Sequence, residues 1–260
     1  MGAYQHRTYG PRWNPGGLLT PAIKWLLIAN TAVFLAQALI QLFGGAEWYR
    51  LFLQWFGLVP DGSVRGLRIW QPLTYLFLHG GLWHLLINML VLWMFGRDIE
   101  QTWGRNRFLH YYFLTGVGAG LINVAIKMMF YPAGSQEQMI VTIGASGAIY
   151  GVLMAAALLF PDRQVWLIPF PVTLPMRVYV AIIGAIAFFS SLGSGDNVSH
   201  ISHLAGMLVG YIYLRRGSFL YRVRNRYSDW QRKRAYRRFE VYKRRHQSED
   251  PPSRPDDWVN

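Results

Sequence analysis

The apolar residues of this chain are gathered into long runs separated by polar stretches. Runs of about 20 apolar residues, the length a helix needs to cross a hydrocarbon core, occupy Ala22 to Phe43, Pro72 to Phe95 and Phe108 to Phe130. A shorter run, Gly144 to Phe160, is stopped by Pro161-Asp162-Arg163, and two more follow from Leu174 to Leu192 and from Val198 to Leu214. The pattern predicts an all-α membrane protein of six spans: a segment 1–21, a membrane domain 22–214 and a tail 215–260. The aromatic- and leucine-rich connection Gly44 to Gln71 is expected to lie in the membrane interface. Ser190 to Asn197 is a short connection with room to move.

Composition agrees. The chain is 52% hydrophobic and 15% charged, yet carries 26 Lys and Arg against 13 Asp and Glu, a formal net charge of +13. A soluble domain is about a quarter charged, so the basic residues must be segregated from the apolar runs. With both termini inside, the inner segments hold 22 of the 26, 14 of them after Leu214, and the outer side holds Arg50, Arg65, Arg68 and Lys127. Without the tail the bias is 8 to 4, which also predicts an N-in, C-in topology. The 16% aromatic content is incompatible with disorder. The lack of Cys rules out disulfides, Cys-ligated zinc, iron–sulfur clusters and a cysteine nucleophile. The first twenty residues have no apolar signal region, so the first run is expected to stay in the mature protein. The tail holds 13 basic residues between Arg215 and Arg245, placed to attract anionic lipid headgroups, and no nucleic acid is expected as a partner. The end from Ser248, with its prolines and acids, is expected to be disordered.

A polar side chain inside a bilayer needs a partner or a watery cavity and raises a functional hypothesis. Candidates are His84 and Asn88 in span 2, His110 in span 3, Ser146 at the start of span 4 and His203 in span 6, with His79 and His200 nearer the outer ends. At about 1.5 Å per residue across about 30 Å, Ser146 starts its helix about 8 Å below the outer boundary. By the same arithmetic His84 lies about 13 Å down and His203 about 10 Å. Three separate spans thus place Ser, His and His in one layer. A serine with an adjacent neutral imidazole is an activated nucleophile. His84 and Asn88, four apart on one helix face, are placed to donate to an oxyanion, as is the first-turn N–H of Ser146. Gly144, Gly147 and Gly151 leave room for close approach, and Tyr150 lies one turn after Ser146, where its ring can pack on a base imidazole.

These residues resemble the rhomboid family of intramembrane serine proteases. His79-Gly80-Gly81-Leu82-Trp83-His84-Leu85-Leu86-Ile87-Asn88-Met89 is similar to the family's HGGxxHLxxNM segment, Gly144-Ala145-Ser146-Gly147 to its GxSG motif, and His203 with Gly206 and Gly210 to the HxxGxxxG of its last core helix. Gly96-Arg97 with Glu100 and Gly104 resembles the inner end of span 2 in bacterial members. The resemblance covers Ala22 to Leu214 and implies a six-helix rhomboid bundle with an interfacial loop after helix 1. It implies Ser146 as nucleophile, His203 as general base without a third acid, His84 and Asn88 as oxyanion donors, and Tyr150 as the ring on His203. His200 competes for the base role, but only His203 is followed by the small-residue pattern. Span 5 with Ser190 to Asn197 becomes gate and cap. The Trp-Arg pair frequent in the family's first loop is not found. The expected substrates are transmembrane proteins, the expected location a bacterial plasma membrane, and no cofactor is expected.

Other readings fit less well. Glycines four apart are more often packing seams than active sites, so the GASG motif gains weight only from His203, His84 and Asn88. His79 reads as a structural hydrogen bonder, His110 as a core or lipid-edge residue and Glu100 as an ion-pairing or capping residue. The HExxH of a metalloprotease is absent. Gly193-Ser194-Gly195-Asp196 spells the GxGD of membrane aspartyl proteases, yet no second span carboxylate faces it. A transporter would need an acid for ion coupling within a span. The alternative from the binding class is a catalytically silent rhomboid-like protein that escorts membrane clients.

Overall fold

The computed structural model describes residues 19–166, 172–193 and 200–215. The basic tail beyond 215, the segment before 19 and residues 194–199 of the expected cap and GxGD stretch lie outside the described residues. The chain divides into two compact units, Met1–Tyr211 and Ile212–Asn260.

Helix α1 (Pro21–Leu39) continues through a π-helical turn (Ile40–Gly44) into α2 (Gly45–Phe56). Two short helices follow, α3 (Pro60–Val64) and α4 (Gln71–Thr74), the latter ending in a 3-10 turn, Tyr75–Phe77. Next, α5 (Leu82–Val91) passes through a π-helical turn (Leu92–Gly96) into α6 (Arg97–Trp103). The remaining helices are α7 (Arg105–Phe130), α8 (Gln136–Met139), α9 (Ser146–Leu159), α10 (Met176–Gly193) and α11 over 200–215. Between α9 and α10, β1 (Gln164–Trp166) pairs antiparallel with β2 (Thr173–Pro175), Val165 opposite Leu174.

Three helical stretches, Pro21–Phe56, Leu82–Trp103 and Arg105–Phe130, are long and apolar enough to cross a membrane, and α9 and α10 are shorter apolar helices. Their outward faces carry large apolar side chains: Phe43 is 81% exposed, Trp83 76% and Phe189 67%. In water such faces would aggregate; against lipid they are satisfied.

Small residues let the central helices touch backbone to backbone. A Cβ on Gly206 would sit 1.9 Å from the Gly147 carbonyl oxygen, one on Gly210 2.4 Å from the Tyr111 hydroxyl, and one on Gly151 2.6 Å from Thr115. Tyr111 Oη donates to the Gly151 carbonyl at 2.7 Å, tying α7 to α9. The glycines thus set the spacing of α7, α9 and α11. Glu100 of α6 accepts from Thr20 Oγ1 and from the N–H groups of Ala22 (2.8 Å) and Ile23 (3.1 Å). A buried carboxylate from another element thereby caps α1, whose first-turn donors have no partner of their own.

Two regions differ from the sequence expectation. Span 2 is not one helix from Pro72: the chain leaves helical geometry at Leu78 and the spanning helix starts at Leu82, because Gly80 and Gly81 favour an extended entry. The connection after span 1 is largely helical. Its carbonyl end is satisfied by side chains from the entry to span 2: Gln71 Nε2 donates to Gln54 O (2.7 Å), Trp70 Nε1 to Trp55 O (2.8 Å) and Thr74 Oγ1 to Phe56 O (2.6 Å). Arg68 lies over the Trp55 ring at 4.8 Å.

Candidate active site

Ser146 opens α9, and the segment before it is pinned by three backbone hydrogen bonds. Leu58 and Thr142 exchange backbone hydrogen bonds of 2.9 Å, and Gly144 N–H donates to the Tyr75 carbonyl at 2.9 Å. Gly57 permits the first contact, since a Cβ there would meet Val141 at 2.3 Å. Gly144 adopts φ +128°, a conformation that favours glycine, and a Cβ on it would lie 2.9 Å from Cε1 and Nε2 of His84. The turn therefore brings the His84 ring against the approach to Ser146.

His203 of α11 places Nε2 2.8 Å from Ser146 Oγ. The Tyr150 ring stacks on the His203 imidazole with centroids 4.1 Å apart and planes within 5°. His200 meets the same imidazole edge-on at 6.0 Å, so it borders the pair without replacing His203. Among the described residues, His203 Nδ1 has no hydrogen-bond partner, and no third acid orients the ring. With Nε2 accepting from the serine hydroxyl, the neutral ring carries its proton on Nδ1.

The His84 tautomer follows from its neighbour. Gly80 N–H donates to Nδ1 at 3.3 Å, so the neutral ring carries its proton on Nε2, the nitrogen facing Gly144. Asn88, one turn further along α5, is buried, and its Nδ2 has no acceptor among the described residues. An unused buried donor costs about 1–3 kcal/mol, a cost that a transient anion would remove. His79 is fully buried and exchanges backbone hydrogen bonds with the Gln37 side chain at 3.0 and 3.2 Å, its ring edge-on to His84 at 5.1 Å. His110 is exposed on α7. A Cβ on Gly147 would lie 2.9 Å from that of Ala119, so only glycine fits there.

The structure thus brings together Ser146, His203, His84, Gly144 and Tyr150, with Asn88 and His79 on the same flank. Sequence reasoning missed other buried polar groups. Asn123 Nδ2 of α7 donates to Ser202 Oγ at 2.7 Å, bracing α11 beside His203. Gln37 holds the His79 backbone, and Gln71 bonds Val59 N–H (3.2 Å) and Ser63 Oγ (2.8 Å) next to the Leu58 bridge. Gln37 and Asn123 sit inside apolar runs, and the rule that flagged His84 would have flagged them.

A bundle of apolar helices is only one host for a serine and histidine in contact, but the match to known proteins is specific. The family model for the rhomboid domain matches residues 66–217. Similar relatives include Rhomboid protein 1, mitochondrial, of Saccharomyces cerevisiae, 32% identical over 143 residues, 53% of this chain and 38% of the relative. Rhomboid protease GluP of Bacillus subtilis is 31% identical over 189 residues, 72% of this chain and 33% of the relative. The presenilin-associated rhomboid-like protein, mitochondrial, of Rattus norvegicus is 28% identical over 207 residues, 79% and 51%. The chain belongs to the rhomboid family. It spans between a third and two fifths of the length of the first curated relatives it matches. These come from mitochondria, a plant and Bacillus, and lend no support to a bacterial plasma membrane in particular.

Proposed function

We propose that this protein is an intramembrane serine endopeptidase that cleaves transmembrane segments of other membrane proteins. The observation that carries the reading is the 2.8 Å contact between His203 Nε2 and Ser146 Oγ at a helix N-terminus. In this mechanism Ser146 Oγ attacks the scissile carbonyl carbon as His203 takes its proton. The oxyanion is held by His84 Nε2–H, Asn88 Nδ2 and the first-turn N–H of Ser146. Collapse breaks the C–N bond, His203 gives its proton to the departing amine, and water then releases the acyl group from Ser146 by the same steps. Tyr150 keeps the His203 ring facing the serine, a task that needs no third acid.

The topology that suits this reading has six spans, N-in and C-in, with the dyad in the outer half: the three long helices together with α9, α10 and α11. The membrane domain is taken as 22–214, with the tail 215–260 held against anionic lipid by its basic residues. Substrate enters laterally as α10 moves. The test is a serine-directed fluorophosphonate or isocoumarin on the purified chain: a covalent adduct on Ser146 and its loss in Ser146→Ala are expected, with cleavage of a model transmembrane substrate lost in Ser146→Ala and His203→Ala. Wild-type cleavage by either variant would sink the proposal. A chain that forms no adduct and cleaves nothing, yet retains membrane clients, would instead be the silent rhomboid-like protein.

A further inference from the structure

At the end of the helical bundle opposite Ser146, a cavity of about 290 Å³ opens between the α5–α6 junction and the β1 strand. Ser146 begins α9 and this cavity borders the segment after its end, so about 20 Å of helix separates the two. The lining has two halves. Trp93, Met94, Phe95 and Trp166 supply an apolar side, and Arg97, Asp98 and Arg163 a charged rim. The carboxylate of Asp98 is already taken by Arg163. Arg97 has no such partner: its Nε is buried without an acceptor among the described residues. Two guanidinium groups against one carboxylate leave the rim with a net positive charge. Trp166 is 65% exposed at the end of β1, and an exposed indole favours a membrane boundary.

We propose that this cavity is a binding site for one anionic glycerophospholipid, of the phosphatidylglycerol class, in the leaflet opposite the dyad. The phosphate accepts from the guanidinium of Arg97 and from the free edge of the Arg163 guanidinium, a charge-assisted geometry for which arginine is suited. The glycerol fills the cavity, and the acyl chains run along Trp93, Met94 and Trp166. A zwitterionic headgroup brings a cation toward a rim that is already positive, so the site discriminates by charge. The consequence is a lipid wedged between the α5–α6 junction and the hairpin leading into α10.

Native mass spectrometry of the full chain, released from micelles with equal amounts of phosphatidylglycerol and phosphatidylcholine, reads this directly. One tightly retained phosphatidylglycerol is expected, with its apparent affinity lowered about fivefold in Arg97→Gln, the loss of one basic contact at a membrane surface. Trp166→Ala, at an exposed position, is expected to lower it as well and carries the test where Arg97→Gln does not fold. Lipid held by the basic tail is unaffected by either change and cancels in the comparison with wild type. Equal retention by wild type and both variants would overturn the proposal, as would equal retention of phosphatidylcholine. Displacement of the lipid by inorganic phosphate at equal concentration would also overturn it, reassigning the site to a soluble anion. Ser146→Ala is expected to hold the lipid as wild type does, so the outcome is independent of the proteolytic reading.

Discussion

A serine hydroxyl attacks an amide only when its proton has a destination and the charge it creates has donors waiting. In the proposed mechanism the destination is His203 Nε2, 2.8 Å from Ser146 Oγ. The donors proposed for that charge are His84 and Asn88, and the two are not equivalent: His84 is oriented by the Gly80 N–H, whereas the Asn88 amide is buried with its Nδ2 unused among the described residues. A donor satisfied only when charge develops lowers the barrier without tightening ground-state binding. Asn88→Ala is therefore expected to lower kcat about a hundredfold while leaving KM within about twofold, measured on a detergent-solubilised chain with a model transmembrane substrate; a rise in KM at constant kcat would contradict the role. The role proposed for Tyr150 rests on its ring face, stacked 4.1 Å from His203. Tyr150→Phe keeps that face and should cleave within about twofold of wild type, whereas Tyr150→Ala forfeits roughly 1 kcal/mol of stacking and should be about fivefold slower. Equal losses in the two variants would point to the hydroxyl instead.

Between elements, the dyad depends on how closely α11 can approach α9, and Gly206 decides that distance. A methyl group there would lie 1.9 Å from a backbone oxygen that cannot rotate away, so the two helices must separate. Gly206→Ala is expected to destabilise the chain by about 3 kcal/mol and to lengthen the Ser146–His203 contact, so that thermal unfolding shifts down and adduct formation on Ser146 slows together. Normal labelling in a variant of unchanged stability would refute the spacing argument. This dependence was legible in the spacing of Gly147, Gly151, Gly206 and Gly210, as was the convergence of Ser146, His84 and His203 from depth along three apolar runs. What stayed hidden depended on long-range hydrogen bonds. Nothing local in Leu58 or Thr142 announces that they bridge, and the four contacts of Gln71 join segments up to 17 residues apart. Helix α2 lies in a stretch read only as an interfacial connection, although Trp48, Leu51, Phe52 and Trp55 recur at helical spacing there. The β1–β2 hairpin is short and proline-rich at Pro175, too weak a strand signal to separate from a connection.

For the molecule as a whole, the proposed activity carries one constraint: a transmembrane substrate is also a helix in lipid. Every carbonyl of such a substrate is hydrogen-bonded within its own helix, because no water is present to replace those bonds. Ser146 can reach a carbonyl carbon only after part of that helix has opened, and the donors around the dyad then replace bonds that the substrate has given up. In the proposed reaction this replacement comes from one place, the turn at Gly144 and the flank of His84 and Asn88, so the cost that distinguishes one substrate from another is the opening itself. Replacing two leucines beside the cut by glycines lowers that cost by roughly 1.5 kcal/mol from helix propensity, which corresponds to an increase in kcat/KM of about tenfold. The same pair moved two helical turns away leaves the scissile bond helical and should return the rate to baseline. Cleavage of reconstituted substrates in proteoliposomes checks both arms. Rates that ignore the position of the glycines would mean that opening is not the step on which substrates are sorted, and that recognition resides in side-chain contacts outside the dyad.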